Sequence, residues 1–433
     1  MNAPAPALPL SLPHRLAYGA LGLPLAMAAL PLYVQVPYLY ADSAGVGLAL
    51  LGTLLLAARL VDALVDPLLG VWSDRGRRRQ PLILLALPCL AGGLFAVLHP
   101  PATGAAPWLL GALLLTGFGF SLASIAHQAW GVELGATPGE RTRLVASREG
   151  FGLVGILFAG LAPTLLAAGS APALSRFAWL YLLLLAVTAA VTLLGVPRRA
   201  ATPAIPRAAG DVDGGGNTAL AAALADILAE PAFRRLLAVF ILNGIATALP
   251  ATLFLFFVAD VLDVERASGP LLALYFLSGV LCLPLWTALA QRLGRARAWL
   301  AAMLLAALTF VAAAGLGPGD LWPFALVCLL SGAALGADLV LPAALLAELA
   351  GRAARGRRGG AYFGCWSLVG KLNLALAAGL ALPLLAVLGY APGVPAGQGT
   401  AALTAVYCLL PVAFKLLAGG LLWRWRTSLE LPS

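Results

Sequence analysis

Residues 54–79 read LLLAARLVDALVDPLLGVWSDRGRRR, an apolar run that carries Arg59, Asp62 and Asp66 and ends in a cluster of arginines. The apolar part is long enough to cross a bilayer, where a central charged residue costs roughly 2.5–3.5 kcal/mol. Spacings of three and four residues place the three charges on one face of a helix. We expect this face to point toward protein or water, as in membrane proteins that handle an ion or a polar solute.

The composition of the whole chain is that of a polytopic membrane protein. Of its 433 residues, 61% are hydrophobic and 10% are charged, whereas soluble domains carry about 25% charged residues. Since each crossing needs roughly 20 apolar residues, we predict an all-α membrane protein with twelve transmembrane helices. The predicted spans are 15–39, 45–72, 81–98, 107–134, 147–170, 175–196, 234–260, 269–290, 298–316, 321–349, 360–388 and 402–423.

The net charge of +9 follows a topological pattern, with basic residues clustered in alternate loops. By the positive-inside rule this pattern places both termini in the cytoplasm. We therefore predict a multi-pass protein of the inner (cytoplasmic) membrane, with the lipid bilayer as its partner and no nucleic acid. The first span is too long for a cleavable signal. The basic clusters are 74–79, 141–148, 198–235, 292–297, 352–358 and 424–426.

A linker divides the predicted spans into six plus six. Residues 198–218, RRAATPAIPRAAGDVDGGGNT, are rich in proline, glycine and charge, which is typical of a flexible connection. We predict an N-terminal six-helix bundle at 1–196, a cytoplasmic linker at 197–231 and a C-terminal six-helix bundle at 232–433. The halves also repeat weakly, because 67–79 aligns with 284–297 after one insertion. Parallel six-helix repeats are the plan of the major facilitator fold.

Intramembrane charge marks the candidate site. A carboxylate there can take up a proton or coordinate Na⁺ through oxygen, so we predict Asp62 and Asp66 as cation-coupling residues, with Arg59 offsetting their repulsion. Lys371 in span eleven is expected to pair with an acid of span two. Lys415 is expected to extend to the cytoplasmic surface instead. The alternative is a self-satisfied ion cluster that only fixes helix packing.

Other polar residues suggest a solute cavity and a conformational contact. In 124–133, SIAHQAWGVE, His127 could shuttle protons and Trp130 could stack on a sugar ring, although a structural role for His127 stays open. Asp338 in span ten is expected to line the same cavity. Asp74, followed by Arg75, resembles a facilitator loop motif in which the acid pairs with an arginine across the two halves. A plain topogenic arginine run is the alternative.

Signatures of enzymes are missing from the sequence. It has no phosphate loop, no HExxH, no GxSxG and no paired cysteines, and its five cysteines are scattered through apolar spans. We therefore predict no catalytic activity and no cofactor other than a coupling ion, H⁺ or Na⁺. We expect a monomer whose partners are a small-molecule solute and a monovalent cation.

The stretch 59–75, RLVDALVDPLLGVWSDR, resembles the signature of the glycoside–pentoside–hexuronide:cation symporters, the melibiose permease-like family of the major facilitator superfamily. The resemblance extends from about residue 16 to 424. It implies alternating access driven by a cation, with Asp62 and Asp66 as cation-site acids, Lys371 as the lysine that meets them, and Trp130 and Arg148 in the sugar cavity.

Three departures from the family pattern guide the choice of ion and solute. Val65 replaces an asparagine that often precedes the second acid, Ala126 replaces an acid of span four, and residues 23–25, LPL, lack an acid of span one. Fewer oxygen ligands favour H⁺ over Na⁺. We predict a cation-coupled secondary transporter of a small solute, such as a sugar or glycoside. The alternatives are an amphipathic or lipid-like solute, an efflux facilitator, or a non-transporting sensor or scaffold.

Overall fold

In the computed structural model, every regular element of the described residues is helical, which confirms the predicted all-α class. The described residues are 10–28, 32, 36, 39–40, 46–75, 78–165, 171–197, 224–352, 358–390 and 399–430. The α-helices are α1 Leu12–Ala20, α2 Gly22–Met27, α3 Leu48–Arg75, α4 Gln80–Leu98, α5 Ala105–Leu134, α6 Pro138–Leu165, α7 Ala171–Gly195, α8 Pro231–Phe256, α9 Ser268–Leu293, α10 Arg295–Ala313, α11 Leu321–Arg352, α12 Gly359–Val387, α13 Thr400–Thr404 and α14 Leu410–Leu429.

Nine helical segments of the described chain are long and apolar enough to cross a membrane. They coincide with nine of the predicted spans, the third, the fourth and the sixth to the twelfth. Two of them pass through a π-helical turn, one at Phe257–Val261 after α8 and one at Ala405–Leu409 before α14. The segments are Gln80–Leu98, Ala105–Leu134, Leu174–Gly195, Pro231–Val261, Glu265–Leu293, Arg295–Ala313, Leu321–Arg352, Gly359–Val387 and Thr400–Leu429.

The three remaining predicted spans differ from these nine in charge or in extent. Helices α3 and α6 are each 28 residues long, and 28 residues exceed the roughly 20 that a crossing needs. Their charged residues set them apart from the nine apolar segments. The first predicted span begins with α1 and α2, and much of its remainder lies outside the described residues. The total of twelve crossings stays a prediction.

The described helices form two compact units. The first contains the chain up to Ala229 together with Ala347–Leu368, and the second contains Glu230–Leu346 and Val369–Ser433. Helices α11 and α12 therefore each contribute residues to both units. Most of the predicted linker, from 198 to 223, lies outside the described residues, so the boundaries read from the sequence stay a prediction.

In the first unit, close packing depends on small residues. Helix α5 packs on α4 and on α3, while α1 and α2 pack against α6. At Gly119 of α5, an added Cβ would lie 2.8 Å from Ala86 O and from Leu90 Cα. Van der Waals contact between helix backbones is a main source of association inside membranes, where burial of apolar surface adds little.

In the second unit, α14 packs against α8 and α10, and aromatic rings fill the core. Phe257 stacks on Tyr407 with their ring centroids 4.1 Å apart, and Phe310 meets the same tyrosine edge-on at 5.9 Å. Prolines lie inside helices α3, α4, α8, α9, α11 and α12, namely Pro67, Pro88, Pro250, Pro284, Pro342 and Pro383.

Candidate functional site

The acidic face of α3 is graded from an exposed to a buried end. Asp66 is wholly buried at 0% exposure, Asp62 is half-buried, and Arg59 is exposed. Ser121 of α5 donates its hydroxyl to Asp62 Oδ1 at 2.9 Å. Gly117 makes this approach possible, because a Cβ there would lie 2.9 Å from the same oxygen. The two predicted cation-site acids thus lie one helical turn apart, and Asp62 packs against α5.

The predicted partner of these acids, Lys371, is half-buried on α12. It belongs to the part of α12 that falls in the second unit. Its pairing with an acid of α3 therefore stays a prediction.

His127 and Tyr18 bind each other through two reciprocal hydrogen bonds between α5 and α1. Tyr18 donates its hydroxyl to His127 O at 2.9 Å, and His127 Nε2 lies 2.9 Å from Tyr18 O. Since a carbonyl only accepts, Nε2 must carry the proton. The histidine is wholly buried, and Trp130 meets Tyr18 edge-on at 6.1 Å. The two hydrogen bonds join α5 to α1, and a role of His127 in proton transfer stays a prediction.

A small cavity lies beside this pair, within the first unit. Arg148 lines it, and its guanidinium forms an ion pair with Glu149. Arg141 contributes a second guanidinium to the cavity lining, and most of the other lining residues are apolar. Its lining residues are Tyr18, Gln128, Gly131, Val132, Arg141, Leu144, Val145, Arg148, Ala347 and Phe363. Of the four predicted cavity residues, Arg148 therefore lines this cavity, whereas His127 and Trp130 contact its lining residue Tyr18.

Asp74 connects the end of α3 to the beginning of α12. Its carboxylate accepts backbone hydrogen bonds from Gly360 at 2.7 Å and Ala361 at 2.8 Å. The first N–H groups of a helix lack partners within it and carry a partial positive charge, so an aspartate is stabilised there. The predicted arginine partner from the C-terminal half stays a prediction, because residues 353–357 lie outside the described residues. Within the described residues, Arg79, five residues along the chain, donates to Asp74 Oδ1 at 2.7 Å.

Arg79 is a further functional candidate, which the sequence pattern does not distinguish from the other arginines of its run. It is 3% exposed and donates to Glu133 Oε1 at 2.8 Å and to Ser73 Oγ at 2.7 Å. Burial favours its neutral form, but the carboxylates of Asp74 and Glu133 outweigh this effect and raise the pKa of Arg79. The predicted Arg75 is exposed at the end of α3. The three described arginines of this run, at positions 75, 78 and 79, look alike in the sequence and are distinguished by these contacts.

Asp338, predicted to line a cavity, lies in a buried network of the second unit. Its carboxylate accepts from Asn243 Nδ2 at 3.0 Å, Trp299 Nε1 at 2.9 Å and Lys415 Nζ at 2.8 Å. The expectation that Lys415 extends to the cytoplasmic surface is wrong, because this residue is 3% exposed. The tertiary fold offers its ammonium an anion within the bundle, so that it need not reach water.

Comparisons with known proteins agree with this architecture. A family model described as MFS/sugar transport protein matches residues 16–430. A curated relative, an uncharacterized symporter of Synechocystis sp., is 28% identical over 176 residues, which cover 36% of this chain and 31% of that protein. The chain thus aligns with about a third of that relative's length.

Solved structures resemble the fold at low sequence identity. A bacterial homologue of the iron transporter ferroportin, in an outward-facing state, has a TM-score of 0.70 at 16% identity, covering 96% of this chain and 100% of that one. The human organic anion transporter TETRAN has a TM-score of 0.69 at 19% identity, with coverages of 95% and 100%. The fucose:proton symporter of E. coli has a TM-score of 0.65 at 14% identity, with coverages of 94% and 97%.

These likenesses establish a fold shared with transporters, and the family match establishes more. It covers nearly the whole chain, including the acidic face of α3, the Asp74 contact and the Asp338 network. Members of this family are multi-pass membrane transporters of small solutes and not enzymes. The chain belongs to the MFS/sugar transport protein family of the major facilitator superfamily.

Proposed function

We propose that this protein is a cation-coupled secondary transporter of a small solute, with H⁺ favoured over Na⁺ as the coupling ion. The main support for this proposal is the pair of acids on α3. Asp66 is wholly buried, and Asp62 is half-buried one helical turn away. Two carboxylates so close repel when both are ionised, which favours uptake of one positive charge. An ion taken up here would lower the cost of moving the acids during alternating access.

The local oxygen atoms support a proton more than a sodium ion. Ser121 reaches Asp62 as a hydrogen-bond partner, whereas Val65 beside Asp66 and Ala126 on α5 offer no side-chain oxygen. A bound Na⁺ needs several oxygen ligands, but a proton needs only one carboxylate and an acceptor. Asp62, Asp66 and Ser121 would supply the oxygens if Na⁺ binds.

The solute class we favour is a sugar or glycoside, on the strength of the family. The cavity by Arg148 supports a second candidate, an amphipathic solute with an anionic group. Its lining combines two guanidiniums, of Arg141 and Arg148, with the apolar side chains of Val132, Leu144 and Phe363. Uptake and efflux are both compatible with these features, since direction follows the ion and solute gradients.

A stability screen of the purified protein would identify the solute. Thermal unfolding is measured against sugars, glycosides, organic acids and lysolipids, at several pH values with and without Na⁺. A ligand present at 100 times its Kd raises the free energy of unfolding by about 2.7 kcal/mol. Stabilisation by sugars alone would support the first candidate, and stabilisation by lysolipids or organic acids alone would support the second.

Asp66→Asn tests the coupling role in proteoliposomes with the solute that the screen identifies. We expect the variant to lose accumulation against a gradient, because the amide cannot take up the ion, while exchange without net ion movement continues. Glu265→Gln, which neutralises an exposed acid at the first residue of the segment Glu265–Leu293, is the matched control and should accumulate normally. Full concentrative uptake by Asp66→Asn would refute the proposed coupling.

A further inference from the structure

A buried ion pair links α11 and α14 of the second unit. Lys415 Nζ lies 2.8 Å from Asp338 Oδ2, and the two side chains are 3% and 7% exposed. Both residues lie well inside helical segments that are apolar enough to cross a membrane. An ion pair at such a depth costs desolvation free energy that an apolar pair would avoid. Ionisable residues at this depth in a membrane protein are commonly functional, for example by gaining and losing a proton.

The surrounding polar groups match the charged forms of both side chains. The ammonium of Lys415 has three N–H donors, and Asn243 Oδ1 at 3.0 Å and Thr247 Oγ1 at 3.4 Å accept alongside Asp338. The carboxylate also accepts from Asn243 Nδ2 and from Trp299 Nε1. In this arrangement Asp338 is ionised, and the pair connects α8, α10, α11 and α14.

Thr247 can reverse its role in this network. Its hydroxyl lies 2.9 Å from Asn243 O on its own helix and 3.3 Å from Asp338 Oδ2. With one proton, the hydroxyl can donate to only one of the two oxygens. When it donates to Asn243 O, its lone pairs are available to a proton on Asp338 Oδ2. The network therefore already contains an acceptor for a protonated Asp338.

We propose that Asp338 is a second proton-binding residue of this transporter, with Lys415 as its counter-charge and Thr247 as the acceptor that holds the proton. A hydronium ion of the aqueous phase transfers its proton to Oδ2 and is released as water, and the resulting O–H donates to Thr247 Oγ1. Lys415 keeps its hydrogen bond to Asn243 Oδ1 but loses the ionic attraction to Asp338. The link between α11 and α14 is weakened as a result.

The other described groups that contact Asp338 are uncharged side chains, so protonation of Asp338 changes mainly its interaction with Lys415. Tyr275 of α9 interacts electrostatically with Asp338, and α8 and α10 present the uncharged Asn243, Thr247 and Trp299. Among the described groups that contact Asp338, Lys415 is therefore the charged one, and its ammonium favours the ionised carboxylate. The proposal rests on the proposed proton-coupled function, and it extends that function from the first unit to the second.

Infrared difference spectroscopy of the purified protein tests the proposal without a solute. As the pH is lowered, we expect wild type to gain the absorption band of a protonated carboxyl group that Asp338→Asn lacks. Lys415→Met should gain the same band at a pH higher by at least about one unit, because the counter-charge is gone. Thr247→Val should shift the frequency of the band. Thr252→Val is the matched control, since the Thr252 hydroxyl donates to Ala248 O on the same helix, away from the Asp338 network.

The double variant Asp338→Asn/Lys415→Met guards against a folding defect, because it removes both charges and leaves neither unpaired. The absence of any Asp338-dependent band between about pH 9 and about pH 4 would overturn the proposal and leave the pair as a packing contact. Protonated-carboxyl bands of equal intensity in wild type and in an Asp338→Asn variant would overturn it as well, because bands from other acids such as Asp62 and Asp66 are common to both proteins. If the wild-type protein shows no proton-coupled uptake in the transport assay, the proposed function is rejected. The Asp338-dependent infrared band is a separate measurement and could still be present.

Discussion

At the scale of single residues, burial separates side chains that look equivalent in the sequence. The helical spacing of Asp62 and Asp66 predicts one common face, and the structure adds a gradient along it. Asp66 is wholly buried, whereas Asp62 is half-buried and bonded to Ser121. A donor to a carboxylate favours its ionised form, so Ser121 should help to set the pH at which Asp62 takes up a proton.

Ser121→Ala should move the pH dependence of solute uptake to higher pH. The substitution removes a hydrogen bond that stabilises the carboxylate of Asp62, so protonation becomes easier. Because Asp62 is half-buried and partly screened by solvent, we expect a shift of about one pH unit or less. Uptake is measured in proteoliposomes over a pH series. Ser124→Ala on the same helix is the control, and an equal shift in both variants would contradict this role.

At the scale of helices, small residues and helix ends determine which elements approach each other. Helices α4 and α5 touch through Gly119, and α3 meets the beginning of α12 through Asp74. The first contact depends on the absence of a Cβ, and the second on a carboxylate placed where backbone N–H groups need acceptors. Each contact can be tested with the purified protein.

Gly119→Ala should destabilise the protein by forcing α4 and α5 apart. An added Cβ would clash with backbone atoms of α4, and overpacking of this kind costs about 1–3 kcal/mol. Gly111→Ala is the matched control, because Gly111 lies on the same helix with no atom within 4 Å of its added Cβ. Thermal unfolding in detergent compares the two. A melting temperature for Gly119→Ala at or above that of Gly111→Ala would exclude close contact at this site.

Asp74→Asn should loosen the beginning of α12. The amide accepts backbone hydrogen bonds less well than a carboxylate and leaves Arg79 with less negative charge nearby, so the amides of Gly360 and Ala361 should exchange faster with deuterium. A charged hydrogen bond is worth about 1.5–3 kcal/mol, which corresponds to an increase of about 10-fold or more in exchange. Arg75→Gln, at an exposed position, should leave the rate unchanged. Unaltered exchange in Asp74→Asn would refute the contact.

At the scale of the whole molecule, apolar length and basic loops predict a multi-pass membrane protein, and the family match confirms that class. The nine apolar helical segments in the described part of the chain coincide with predicted spans. Helices α3 and α6 are not among these nine segments, because they carry more charged residues than the nine do. Some of these charged residues are the ones that suggest function. The number of crossings and the side of each loop remain open to direct measurement.

Cysteine labelling in a cysteine-free background should place residues 2 and 78 on the cytoplasmic side and residue 102 on the opposite side. Arg78 and Ala102 are exposed at the two ends of α4, and the basic cluster beside Arg78 predicts the cytoplasmic location. A membrane-impermeant reagent is applied to vesicles of each orientation. Labelling of positions 78 and 102 from the same side would contradict a membrane-crossing α4, and external labelling of position 2 would contradict a cytoplasmic N-terminus.

The sequence by itself determined the helical class, the extents of most spans and the family, since each depends on local apolar length or on a contiguous motif. The tertiary structure alone decided which polar residues meet. Lys415 binds Asp338 although the two residues are 77 positions apart in the sequence. Among the described arginines of the cluster after α3, Arg79 is the one that pairs with Asp74. Hydropathy and helical periodicity act within one segment, whereas a buried charge is stabilised by partners from other helices, which only the folded chain brings within hydrogen-bonding distance.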